Sequence, residues 1–276
     1  MNDIFNIRRF GSYFASDLKK CLSNYGLTIS LLSIIGIIIW AFVGMFTFLF
    51  DGSWYSIGVM GRLSFLGIAT VALVITLPSQ CYGYITNKGN GSSFLMIPVS
   101  TFEKFLSMTL ITAIVLPMIF FIASFAADWL LCTFVPDCGD SLISAAKGTY
   151  AFINDELGVK YTEVMKPWLS PWLYIDDFAG CILVFLLGAI IFKKNKSVKT
   201  ILTCIIVSSI IGMIATPFVM DWTMQQMEII TDAQDPLTIW NSNLFSNLPV
   251  LDTIHDVLLL GGLLTAIFFR VKTLKH

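Results

Sequence analysis

Along the chain, charged positions are cleared from long stretches. Residues 27–50, 63–82, 105–127 and 200–220 contain no Asp, Glu, Lys or Arg. Backbone amides in hydrocarbon have no water to bond, so a segment that crosses a bilayer winds into a helix of about 20 apolar residues. Each of these runs is long enough. Residues 178–192 and 257–269 are shorter, and reach crossing length only when upstream acids are included: Asp176 and Asp177 in one case, Asp252 and Asp256 in the other. The pattern predicts an all-α polytopic membrane protein with one six-helix transmembrane domain, residues 27–276. Its spans lie at about 27–50, 61–82, 105–128, 173–192, 200–220 and 250–269, with outer loops 129–172 and 221–249.

Ahead of the first span, residues 1–26 have a different rhythm. Ile7, Phe10, Phe14, Leu18, Cys21 and Leu22 recur every three or four positions, with Arg8, Arg9, Lys19 and Lys20 placed to reach phosphates. This reads as an interfacial amphipathic helix. In the first long loop, residues 141–165 have apolar spacing suited to a short helix, and Pro167, Trp168, Pro171 and Trp172 suggest a turn lying back on the membrane. Ser208, Gly212 and Thr216, at four-residue spacing, would let a neighbouring helix approach closely, first of all one of the same chain. No internal repeat supports an inverted-repeat transporter.

Composition agrees with a membrane protein: 56% of residues are apolar and 13% charged, about half the charge of a typical soluble chain. The net charge of −1 calls for no nucleic-acid partner. Position matters more than the total. Residues 1–26, 83–104, 193–199 and 270–276 hold thirteen bases against three acids, a net +10; the rest hold four bases against fifteen acids, a net −11. By the excess of Lys and Arg in short cytoplasmic loops, the positive face is cytoplasmic and both termini are inside. Trp54, Trp129, Trp168, Trp172 and Trp222 fall near outer span ends, where an amphipathic indole is favoured. The first apolar run is too long for a cleaved signal peptide and stays as an anchored helix.

Catalytic signatures are missing. There is no phosphate-binding loop, no H-E-x-x-H, no G-x-S-x-G and no paired C-x-x-C, so no enzyme, cofactor or metal site is expected. His255 with Asp252 and Asp256 reads as a membrane-boundary cluster rather than a metal or proton site. The charge-free spans offer no intramembrane acid or base. Cys21, Cys81, Cys181 and Cys204 read as small apolar residues. Cys132 and Cys138 sit on the outer side, where a disulfide is open to them.

The most informative stretch is residues 92–108, SSFLMIPVSTFEKFLSM. Pro98 disfavours a helix running through it. Ser100 and Glu103 then form an S-x-x-E capping box that starts a new helix running into the third span, where Pro117 is placed to kink it. Together with the N-terminal Phe5-Asn6-Ile7-Arg8-Arg9-Phe10-Gly11 and the six spans, the segment I-P-V-S-T-F-E-K-F-L-S resembles permease subunits of type-two ATP-binding-cassette exporters, in particular a short bacterial form. The long outer loop after span three departs from the better-known members.

The resemblance implies a permease without an ATPase of its own, paired with a cytoplasmic ATPase subunit and working as a homodimer or with a similar permease. It implies that Pro98, Ser100, Glu103 and Lys104 belong to the element that contacts the ATPase. An uncharged path suggests an amphipathic, lipid-like or peptide cargo. The alternative is a non-transporting membrane protein, an assembly or sensing subunit whose acidic outer loops bind a partner.

Overall fold

The computed structural model describes residues 5–52, 58–86, 91, 94, 96–134, 140–144, 171–231 and 243–274. Among them all regular structure is helical: α1 (Ile7–Asp51), α2 (Val59–Tyr82), a 3-10 turn (Gly83–Thr86), α3 (Thr101–Leu110), a π-helical turn (Ile111–Val115), α4 (Leu116–Phe134), α5 (Pro171–Ile191), α6 (Lys196–Thr231) and α7 (Asn243–Lys272). Four stretches are long and apolar enough to cross a membrane: Ile7–Phe50, Val59–Thr86, Thr101–Phe134 and Lys196–Pro217. Asp177–Ile191 is a shorter apolar helix. The expected helix in 141–165 and the turn at Pro167 and Trp168 lie outside the described residues, apart from one helical turn at 142–144.

Helix α1 joins residues 7–26, read as an interfacial amphipathic segment, and the first apolar run in one helix. The Asn6 side chain accepts hydrogen bonds from the Arg8 and Arg9 amides, and the helix then runs unbroken for 45 residues to Gly52, whose φ of 68° turns the chain out. At 1.5 Å per residue it is about 65 Å long. No Pro interrupts residues 7–51, and the isolated glycines Gly11, Gly26, Gly36 and Gly44 are each tolerated inside a helix. The buried stripe is also different from the one expected. Tyr13, Asp17, Cys21, Tyr25 and Ile29 face the protein at four-residue intervals, while Ile7 is 78% exposed and Phe10, Phe14 and Leu18 are half-buried. Packing against α2 and α3 selects the face, so two tyrosines and an aspartate go inside ahead of more apolar neighbours.

Pro117 has no amide to donate to the preceding turn. The π-helical turn Ile111–Val115 directly before it takes up the altered register, and α3 and α4 together form one membrane-length helix. The core draws on Tyr25 of α1, Leu73 and Leu77 of α2, Met108 of α3, Phe120 of α4, Leu186 of α5 and Ile267 of α7.

No described side chain of α6 joins this core. Among the described residues it docks by its first turns: Lys196 donates to the Gly83 carbonyl, Ser197 to the Ile75 carbonyl, and Thr200 is buried against Gly188. From Ile201 onward nearly every described residue of α6 is exposed. Ser208 and Thr216 bond back to carbonyls of their own helix, and a Cβ on Gly212 would meet nothing within 4 Å. Among the described residues this small-residue stripe takes no part in packing within the chain, whereas the sequence reading placed it there first of all.

A Cβ on Gly188 would lie 2.8 Å from Thr200 Cγ2 and 2.9 Å from its Cβ. Gly188→Ala is therefore expected to destabilise the protein by about 1–3 kcal/mol through overpacking. Gly212→Ala should leave stability unchanged or raise it by up to about 1 kcal/mol. Dodecyl sulfate titration of the purified variants, followed by circular dichroism, reads both; equal effects would contradict the assigned packing.

Candidate functional site

Polar side chains inside the bundle gather in two layers. The first surrounds the start of α1 and α3. Glu103 is fully buried and its carboxylate takes four hydrogen bonds. Oε1 accepts from the Asn6 amide and Arg9 Nη2, both at 2.9 Å; Oε2 accepts from Arg9 Nε and the Ser100 amide, both at 3.0 Å. Ser100 Oγ accepts from the Glu103 amide at 3.2 Å, completing the capping box. One side chain thus closes the start of α3 and clamps the start of α1 through a bidentate guanidinium.

These groups lie beyond the apolar runs 27–50 and 105–127. Burial alone pushes the Glu103 carboxyl up. The hydrogen bond from Arg9, the amides of Asn6 and Ser100 and the Arg9 charge outweigh it, holding the group down at about 2. Lys104 is also buried: Nζ donates to the Phe94 carbonyl at 2.8 Å and sits 5.1 Å from the centre of the Phe94 ring. Burial pushes its amine below the ordinary range.

Asp17 anchors the next turn inward. Tyr82 Oη and Ser107 Oγ both donate to Asp17 Oδ2 at 2.8 Å. Burial pushes its carboxyl up, against the pull of those two bonds and of Lys20. Lys20 Nζ lies 3.7 Å from the centre of the Tyr84 ring. The other chain segments join here as well: Thr86 Oγ1 donates to the Phe192 carbonyl at 3.2 Å and Arg270 Nε to the Ile190 carbonyl at 3.4 Å.

The second layer lies at the far ends of α2 and α4. Arg62, buried, pairs with Asp128 at 2.6 Å and donates to the Asp140 carbonyl at 2.6 Å and to Cys132 Sγ at 2.7 Å. Asp128 Oδ2 accepts from the Leu142 amide at 2.7 Å. Cys132 is a free thiol; Cys138, its expected disulfide partner, lies outside the described residues.

Tyr82 and Arg62 are twenty residues apart on α2, and Ser107 and Asp128 twenty-one apart along α3 and α4. Both intervals amount to about 30 Å at the helical rise, the thickness of a bilayer's hydrocarbon core. Four described helices long and apolar enough to cross a membrane, with polar layers at this spacing, suggest a helical membrane protein.

Of the residues singled out in the sequence, the structure brings Arg9, Ser100 and Glu103 together and turns Lys104 inward beside Phe94. Phe10 and Phe14 stack on each other with ring centres 5.7 Å apart, while Arg8, Lys19, Lys20 and Pro98 are exposed. This end also exposes apolar side chains: Met96 is 81% and Phe102 46% exposed, and Phe102 meets Phe5 edge-on at 6.0 Å. Asp17 and the Arg62–Asp128 pair were not singled out. The one signal for Asp17 is its place in the four-residue series Tyr13, Asp17, Cys21, Tyr25.

Two acids of the shorter apolar helices, one on α5 and one on α7, lie between the two polar layers. Asp177 is thirteen residues from Ile190, and Asp256 fourteen from Arg270, which puts both about 20 Å beyond the first layer. A contact on α4 agrees: the Phe178 ring packs 5.6 Å from Phe121, itself fourteen residues past Ser107. Apolar run length marks where charge stops, whereas the bond between Arg270 and Ile190 sets how deep each helix sits.

No protein-family model matches this chain, and neither comparison with curated proteins nor comparison with solved structures finds a match.

The Glu103 carboxyl is lower in the folded protein than its ordinary 4.5, so its ionised form stabilises the fold above that pH, and the contribution is lost as pH falls from about 4.5 toward about 2. Glu103→Gln should therefore melt below the wild type at pH 7, with a gap that narrows below pH 4.5. A constant gap in detergent melting curves between pH 7 and 3 would contradict the clamp.

Proposed function

We propose that this chain is the permease subunit of an ATP-binding-cassette exporter. It crosses the bacterial cytoplasmic membrane six times, with both termini and the Glu103 layer on the cytoplasmic side, and works with a separate ATPase. The observation that carries this reading is the Arg9–Glu103 clamp. It joins two cytoplasmic helix starts, each continuous with a membrane-length helix, so a force applied there reaches the far side without passing through a flexible joint.

Beside the clamp stands an exposed apolar patch of Phe5, Met96, Pro98 and Phe102, outside the 30 Å interval and suited to a protein partner. Glu103, Lys104 and Ser100 hold this element in place from within; Pro98 and its exposed neighbours meet the ATPase. The absence of a phosphate-binding loop leaves ATP hydrolysis to that partner. Pairing of two copies is supported by α6, whose small-residue stripe at Ser208, Gly212 and Thr216 faces outward. The cargo is amphipathic, in keeping with apolar walls that meet Asp177 and Asp256 between the layers.

Phe102→Asp and Met96→Asp should each reduce ATPase co-purified in mild detergent at least tenfold while leaving the permease amount in the membrane unchanged. Undiminished co-purification, or no ATPase recovered with the wild type, would sink the exporter reading. Topology has its own test. With the six native cysteines replaced by serine, Lys275→Cys should react with an impermeant maleimide only after the membrane is opened, and labelling in intact cells would overturn the six-span orientation.

A further inference from the structure

A crevice of about 400 Å³ opens between α5, α6 and α7. It exists because α6 leaves the bundle after Thr200. Val184, Phe185, Ile201 and Leu259 wall most of it, and Asp177, His255 and Asp256 stand at one end. Asp256 is only 7% exposed. Its Oδ1 lies 3.2 Å from His255 Nδ1, but Oδ2 is buried with no hydrogen-bond partner. A second apolar hollow of about 390 Å³, lined by Val71, Val74 and Phe178, meets the first at Asp177, Cys181 and Phe185.

An unsatisfied carboxylate oxygen about 20 Å into a 30 Å hydrocarbon layer is costly, and ionisable groups at such depth mark binding sites and pathways. Among the described residues no three ligating side chains converge as a metal site would need, and the remaining walls are apolar. Hydrocarbon alone would fill the walls and leave Asp256 Oδ2 unanswered; a bare cation would answer Oδ2 and leave the walls empty. A molecule with a positive head and an apolar chain does both.

We propose that this crevice binds an amphiphilic ammonium compound, its head between Asp256 and Asp177 and its chain along Val184, Phe185, Ile201 and Leu259. The depth rests on the crossing helices proposed above. Binding is a property of this chain alone and needs no ATPase, so its failure leaves the exporter reading standing, and the converse holds too. A free alkylammonium and an aminophospholipid offer the same chemistry.

The test is native mass spectrometry of the full chain in a neutral detergent, titrated with dodecyltrimethylammonium. Wild type should take up the probe saturably, with no competition from dodecyl maltoside, a neutral molecule of equal chain length. Asp256→Asn, isosteric and uncharged, should weaken binding at least tenfold, and Leu259→Trp, which fills the apolar wall and leaves the carboxylates, should abolish it. Equal binding to Asp256→Asn and wild type, displacement by the maltoside, or no saturable binding would each overturn the proposal. Displacement by lyso-phosphatidylethanolamine would identify the occupant as a lipid; its failure to displace would identify a free cation.

Discussion

A fully buried carboxylate is stable only where hydrogen bonds and a countercharge replace the water it has lost, and Glu103 meets that requirement with four donor groups on three residues from two places in the chain. Asn6 and Arg9 come from the start of α1, Ser100 from the turn before α3. Because the donors are fixed to helix starts, satisfying the carboxylate also sets the register between α1 and the α3–α4 helix. Every later contact between these helices inherits that register, from Asp17 with Ser107 to Trp40 with Leu131.

The same requirement, repeated about 30 Å away, explains the second layer. Arg62 and Asp128 are each buried and each further bonded, to the Asp140 carbonyl and the Leu142 amide. Between the layers α1, α2 and α4 meet almost wholly through apolar contact. α1 does not respect the second layer: it continues eleven residues past Trp40, whereas α4 ends three residues past Leu131. α6 is bound to the rest only near the first layer. The molecule is therefore a tightly registered bundle of α1 to α5 and α7 with one helix attached at a single end, and the gap beside that helix is where Asp177 and Asp256 find themselves.

Much of this arrangement is legible in the sequence where the signal is local. The Ser100–Glu103 capping box needs only residues three apart, and it is present. Where the signal depends on a distant partner, reading the chain in order misleads. Asp17 looks like one acid among the bases of a cytoplasmic arm until Tyr82 and Ser107 arrive. Glu103 and Lys104 look like an exposed charged pair until Arg9 and the Phe94 carbonyl enclose them. Ser208, Gly212 and Thr216 look like an internal packing seam, but the seam that exists is Gly188 against Thr200, eight positions earlier on α6.

By itself the sequence determined that the chain forms apolar helices long enough to cross a membrane, because uninterrupted apolar runs in a chain with so few charges can satisfy their backbone amides in hydrocarbon only as helices. It also determined where one of those helices begins, because capping is a matter of three residues. Only the tertiary structure decided which polar groups face inward and at what depth each helix sits. Those depend on hydrogen bonds between residues 80 to 97 positions apart, such as Arg270 with Ile190 and Asn6 with Glu103, and no local pattern encodes a partner at that distance.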